Sequence, residues 1–295
     1  MTAGWFPFFR SSQAKAEMLC LEVDYNLDDK PESVVALVRT MQLASKGDKP
    51  WQLDLHKCDY LGPYAGAIIV ATLLESRSRN CACELVLPTN PAKLVNFCQR
   101  SALEYFAGLG PMPEGREPQP VTIPMRVLQK SNFSNPDPFV ELIRQHVTLD
   151  EEVEEYLRIC INEVVQNVED HAKSAIGAVA AARYMSNSRQ IRIAIVDRGD
   201  GIGTTVRRKH PGILSNQQAI ARVMEGGISA KSRLNNMGLG VSNLCAIIQH
   251  QLKGRVFIVS QDTAVNRQPE RQDHWTHLEH PFPGTAVFLN VPVEF

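Results

Sequence analysis

Four stretches in the second half of the chain combine acidic, amide and glycine residues in spacings that suit phosphoryl chemistry. In Leu149 to Ala172, LDEEVEEYLRICINEVVQNVEDHA, Glu163 and Asn167 stand four apart and are neighbours on a helix surface. An Asn carbonyl is a hard oxygen ligand for Mg²⁺, and a carboxylate one turn away can orient or deprotonate a water attacking a phosphoryl group. Alone, the E-x-x-x-N pair is weak evidence, because surface helices produce it often. His171 falls on the apolar stripe of the same segment and reads as a core histidine. In Gln190 to Gly203, QIRIAIVDRGDGIG, a strand ends in Asp197, followed by Gly199, Gly201 and Gly203. A carboxylate at a strand end can accept a hydrogen bond from an exocyclic amine, and the glycines let a flat base approach the backbone. The spacing is neither the dinucleotide G-x-G-x-x-G nor the Walker loop. In Asn235 to Leu244, NNMGLGVSNL, the N–H groups of Gly238, Leu239 and Gly240 open an apolar helix, Val241 to Ile248, and can cradle phosphates. In Pro283 to Pro292, PGTAVFLNVP, a glycine turn runs into a terminal strand, with Thr285 as a hydroxyl near a base.

These residues need a helix, a strand and a second helix to position them. Val153, Leu157, Cys160, Ile161, Val164 and Val168 recur at helical spacing, with Asp150 to Glu152 at the helix start, and Ile191, Ile193 and Ile195 alternate as in a half-buried strand. Upstream the pattern is strand, helix, strand, helix, strand, helix: Leu19 to Tyr25, Val34 to Ala44, Trp51 to Leu55, Tyr64 to Arg79, Cys83 to Leu87 and Pro91 to Phe106. That alternation predicts a small α/β layer fold. Between the halves, Gly108 to Pro120 (GLGPMPEGREPQP) holds four of the 18 prolines, with Pro124 close behind, and cannot continue a helix or central strand. The expected organisation is an N-terminal α/β domain over residues 1–108, a Pro/Gly-rich linker over 109–120 and a second α/β domain over 121–295.

A length of 295 residues exceeds the usual size of one domain, and 44% hydrophobic with 21% charged residues describes a folding, soluble chain. The 31 basic against 32 acidic residues leave a net charge of -1 and no overall electrostatic case for nucleic acid or an anionic membrane. No apolar run approaches the roughly 18 residues of a spanning helix, and Met1 to Ser12 lacks the regions of a secretory signal, so a cytoplasmic protein is expected. The 7 cysteines are an odd number without a Cys-x-x-Cys pair, which points to small buried hydrophobes. His274, His277 and His280 in HWTHLEHP could converge on zinc only from one helical face, and the following prolines favour a polar loop.

NEVVQNVEDHA, DRGDGIG, GLGVSNL and GTAVFLNVP, in this order across about 130 residues, resemble the four boxes of the GHKL ATP-binding superfamily. The resemblance implies an α/β sandwich with nucleotide between helices and a mixed sheet. It implies Asn167 as the Mg²⁺ ligand, Glu163 as the catalytic carboxylate and Asp197 as the adenine reader. Gly199, Gly201 and Gly203 match the adenine-side turn, Gly238 and Gly240 the phosphate loop, and Thr285 the final box. Thr204 to Leu234 matches the lid, where Ser229, Lys231 and Arg233 are possible phosphate contacts. In the first half, DLHKCDYLGPYAGAIIVATL resembles the strand, loop and helix signature of STAS domains. That family commonly begins this helix with a phosphorylatable Ser or Thr. Pro63 and Tyr64 stand there instead, which favours a docking or dimerising module.

Several activities are compatible with the resemblance. No phosphoacceptor helix of a sensor histidine kinase is evident, and the chain ends at Phe295 without a gyrase-type transducer domain. TLDEEVEEYLRICINEVVQNVEDHA also looks like anti-sigma-factor serine kinases, which work with STAS partners, though the lid here is longer and carries Gly226 and Gly227. The expected function is an ATP-binding regulator with Mg-ATP-dependent lid closure and slow hydrolysis that controls a protein partner. A protein serine/threonine kinase and a non-hydrolysing nucleotide-sensing scaffold are the alternatives. A homodimer is expected from the resemblance only.

Overall fold

The computed structural model describes residues 18–23, 25–45, 49–113, 122–128, 137–168, 172–226 and 240–293. Their fold is mixed α/β, with two sheets and interleaved helices. The first half supplies strands β1 (Leu19–Glu22), β2 (Trp51–Asp54) and β3 (Cys83–Val86) and helices α1 (Pro31–Ser45), α2 (Pro63–Ser78), α3 (Ala92–Arg100) and α4 (Leu103–Ala107). The three strands form a parallel sheet in the order β1-β2-β3, with Leu21, Leu53 and Leu85 in one register row. The helix read across Pro91 to Phe106 is two helices, because Ala102 adopts the left-handed conformation at φ 66° and breaks the hydrogen-bond ladder.

The second half supplies β4 (Thr122–Leu128), α5 (Asp137–Arg144), α6 (Glu151–Asn167), β5 (Ala178–Met185), β6 (Gln190–Asp197), α7 (Gly201–Lys209), α8 (Asn216–Glu225), α9 (Gly240–Ala246), β7 (Arg255–Arg267) and β8 (His274–Pro292). Its antiparallel sheet runs β4-β5-β6-β8-β7. Helix α9 passes into a π-helical turn over Ile247–Gln251. Pro124 is accommodated in edge strand β4, where the register with β5 shifts between Ile123 and Arg126.

Each strand of the five-stranded sheet has two apolar faces. Ile191, Ile193 and Ile195 of β6 enter a core with Leu157, Ile161 and Val165 of α6 and Leu244 and Ile248 from α9 and its extension. Ala194 and Val196, on the alternate face, enter a second core with Val179, Ala181, Phe257 and Phe288 and with the first-half helices and strands. Helix α2 explains this arrangement. Every residue from Pro63 to Leu73 is buried, because α2 packs on β5 and β6 on one side and reaches the parallel sheet on the other. On the parallel-sheet side, Trp51 Nε1 donates to Ser76 Oγ at 3.0 Å. On the other, Tyr64 Oη donates to the Leu289 carbonyl at 2.6 Å. A helix apolar on all sides is a buried helix, and Ala65, Gly66, Ala67 and Ala71 keep its neighbours close. The order of layers is therefore parallel sheet, α1 and α2, antiparallel sheet, then α6 and α9.

Buried charges fasten these layers. Arg192 Nη1 on β6 donates to Asp29 Oδ2 at 3.0 Å, and Asp29 Oδ1 accepts the Tyr64 N–H at 2.9 Å at the start of α2. Burial pushes the Asp29 carboxyl up to about 6, against the pull of Arg192 and of these N–H groups. The N-terminus of α2 is thus filled by the chain's own carboxylate. Among the described residues no helix is long and apolar enough to cross a membrane.

Candidate functional site

Strand β6 delivers Asp197 to its C-terminal end on the face of Ile191, Ile193 and Ile195, which is the face covered by α6 and α9. The carboxyl is buried, with Oδ1 accepting the Gly199 N–H at 2.8 Å and a further hydrogen bond from the Thr285 backbone N–H. Burial pushes it up to about 7, against those hydrogen bonds and the charge of Arg198. Asp197 is therefore an acid poised near neutrality, able to accept a hydrogen bond when ionised and to donate one when protonated.

Two glycines grip this strand end. A Cβ on Gly199 would lie 1.9 Å from the Ala172 carbonyl oxygen, just past α6, and the Asp200 N–H donates to the same oxygen at 2.6 Å. Gly284, with φ 96°, lies so close that a Cβ would sit 2.2 Å from the Asp197 carbonyl oxygen. Only glycine fits either place, so the turn after β6, the segment after α6 and the Gly284–Thr285 stretch of β8 meet in backbone contact. Ser260 of β7 completes the knot: its Oγ donates to the Gly284 carbonyl at 3.0 Å, accepts the Ile202 N–H at 2.9 Å and lies 3.3 Å from Thr285 Oγ1. No feature of FIVSQD flags Ser260 except that it is the first polar residue after an apolar strand run.

The remaining expected residues divide into four groups. Asn167 is the last residue of α6, half-buried, and α6 packs against α9, whose first residue is Gly240. Gly201 and Gly203 are buried in the first turn of α7, so the glycine turn read after Asp197 is largely a helix start, with Gly201 at φ 76°. Ser229, Lys231, Arg233, Gly238 and Leu239 lie outside the described residues, as does His171. Glu163 lies on α6, four residues before Asn167, and its side chain is outside the described set.

Two other expectations need correction, and a third is described only in part. The segment Thr204 to Leu234, read as a lid, begins as the packed helices α7 and α8 through Glu225, and the part beyond Gly226 is outside the described residues. Asn216 ties this pair to β7, accepting from Arg207 Nη1 at 2.5 Å and donating to Asp262 Oδ1 at 2.6 Å. The histidines His274, His277 and His280 are not in a loop: they belong to β8, which pairs with β7 through Asn266↔His274 and Thr263↔His277. Residues three apart on a strand point to opposite faces, so His274 and His277 diverge. Among the described residues no group of three or more His, Cys, Asp or Glu could hold a metal ion. The final glycine turn lies inside β8, at the register shifts that follow Ser260 and Gln261 on β7.

No protein-family model and no curated protein matches this chain.

Asp197 presents a buried acceptor at a strand end, and the backbone around it is held by positions where no side chain fits. Asn167 carries an amide at the end of α6, and α6 touches α9, which begins at Gly240.

Proposed function

We propose that the chain is an ATP-binding regulatory protein of the cytoplasm, in which Mg-ATP controls closure over the site and the binding of a protein partner, with slow hydrolysis as the reset. The observation that carries this reading is the buried Asp197 carboxyl at the end of β6, fixed by Gly199 and by the Gly284–Thr285 stretch on the sheet face covered by α6 and α9. In this reading the ionised Asp197 accepts a hydrogen bond from the adenine amine, and Asn167 holds Mg²⁺ by its carbonyl oxygen. Glu163 orients or deprotonates the attacking water. ATP, when bound, supplies the labile phosphoryl group, and Mg²⁺ neutralises its charge.

The test is incubation of the purified chain with Mg²⁺ and γ-labelled ATP, quantifying bound nucleotide, free phosphate and labelled protein together. Binding is expected to be lost in Asp197→Ala, and phosphate release to be lost in Glu163→Ala with binding retained. Phosphate release that persists in Glu163→Ala rejects the assignment of Glu163. Label transferred to a copurifying protein identifies a serine/threonine kinase, and bound ATP that stays intact identifies a nucleotide-sensing scaffold.

A further inference from the structure

Asp197 has a neighbour whose side chain leaves by the opposite face of the sheet. Ala194 and Val196 point into the core shared with α2, and Arg198 continues that alternation beyond the strand end. Its side chain is 1% exposed, and its Nε donates to Glu75 Oε2 on α2 at 2.6 Å. The guanidinium carbon lies 4.8 Å from the ring centroid of Phe282, on β8. The Arg198 backbone is packed as closely as that of Asp197: a Cβ on Gly284 would lie 2.7 Å from Arg198 Cα. One peptide thus joins a carboxyl on the α6/α9 side of the sheet to a guanidinium anchored in α2, and both ends are pinned by the same glycine.

We infer that Arg198, held by Glu75, is a positioning residue for Asp197, so that nucleotide binding on one face of the sheet and the seating of α2 on the other are a single equilibrium. The inference rests on the nucleotide reading of Asp197 given above. A buried ion pair is a poor source of net stability, because desolvation offsets most of the attraction and apolar side chains of similar volume pack as well. It is a strong source of orientation, since a charged hydrogen bond at 2.6 Å tolerates little displacement of either partner. The second inter-layer pair, buried Asp29 with half-buried Arg192, binds the same two layers from β6 and the start of α2, away from the strand end. It separates a positioning effect from simple attachment.

The experiment measures affinity for Mg-ATP by calorimetry on the full chain, with the folded fraction of each variant checked by circular dichroism. Glu75→Gln keeps the shape of the side chain and removes its charge. It is expected to weaken ATP binding by roughly tenfold, within the range typical of coupled sites. Asp29→Asn is expected to lower stability and leave the ATP affinity within about twofold. Linkage is reciprocal, so saturating Mg-ATP is expected to slow amide hydrogen exchange in the wild-type chain over residues 70–78. Equal affinity in Glu75→Gln and wild type, or an equal loss in Glu75→Gln and Asp29→Asn, overturns the inference while leaving the nucleotide site intact. Should Glu75→Gln not fold, the wild-type exchange measurement decides: rates over 70–78 unchanged by ATP overturn it. A wild-type chain that binds ATP no better than Asp197→Ala removes the nucleotide reading itself and the inference with it.

Discussion

At the scale of single residues, the site stores free energy in a carboxyl that the fold would hold more cheaply in its neutral form. In the unfolded chain Asp197 titrates near 3.8, and in the folded chain near 7. Between those values the folded state keeps a proton that the unfolded state has lost. This contribution to stability is therefore full below pH 4, falls as the pH rises, and is gone above about 7. Asp197→Asn removes the titration, so urea midpoints should show the variant more stable than wild type at pH 8 and about equal to it at pH 3.5. The same variant should bind ATP more weakly, because the amide offers a neutral oxygen in place of a charged acceptor. Opposite signs for stability and binding are what a binding residue strained by its surroundings produces. Gly199 is constrained by shape instead. A methyl there collides with the Ala172 carbonyl, so Gly199→Ala should lower stability by about 2 kcal/mol, read from thermal or urea unfolding, and weaken nucleotide binding by moving the turn.

At the scale of elements, the segments with a clear apolar pattern were legible and the polar or proline-rich ones were not. Helix α6, the β6 isoleucines and the apolar α2 declare themselves because their apolar residues repeat at 3.6 or 2 over enough residues to exclude other periods. The polar run His274 to His280 carries no such signal. It is a strand because β7 pairs with it residue by residue, an outcome of tertiary context. The Pro-rich text hid β4, since a proline that bars a central strand is tolerated at an edge. At the end of β6, the strand-terminal Asp197 and the turn glycine Gly199 were readable from type and spacing. Ser260, Arg198 and Glu75 were not, because their roles depend on which faces of which layers meet. The start of α2 depends on one such meeting. Removing Arg192 as Arg192→Met leaves Asp29 buried at that helix start without its cation, and the folded-state Asp29 carboxyl, already raised to about 6, must rise further. The variant should lose about 3 kcal/mol at pH 8 and less at pH 5, where Asp29 is protonated in the folded chain, as compared through denaturant midpoints at the two pH values.

At the scale of the whole molecule, the order of the layers decides whether the two halves of the chain can act separately. The sequence divides at the proline-rich stretch, yet the larger apolar cluster crosses it, uniting Leu53, Ile68 and Leu73 with Val179, Ala194, Phe257 and Phe288. Helix α2 has no polar face to offer solvent, and the sheet face beneath it is lined by Val196, Val259 and Ala286 besides those residues. A fragment of residues 121–295 would keep α6, α9 and the site residues but expose that whole face. A contiguous apolar surface of this kind drives self-association. The fragment should therefore run as oligomers or aggregate in size-exclusion chromatography with light scattering, and should bind a hydrophobic dye that the full chain excludes. A monomeric, dye-negative fragment with full ATP affinity would mean that the first half is an appendage. Loss of ATP affinity in a fragment kept soluble by polar substitutions on the exposed face would mean that the site requires the layer behind it. The second outcome is expected, because the residue after Asp197 is anchored in α2 by its ion pair with Glu75.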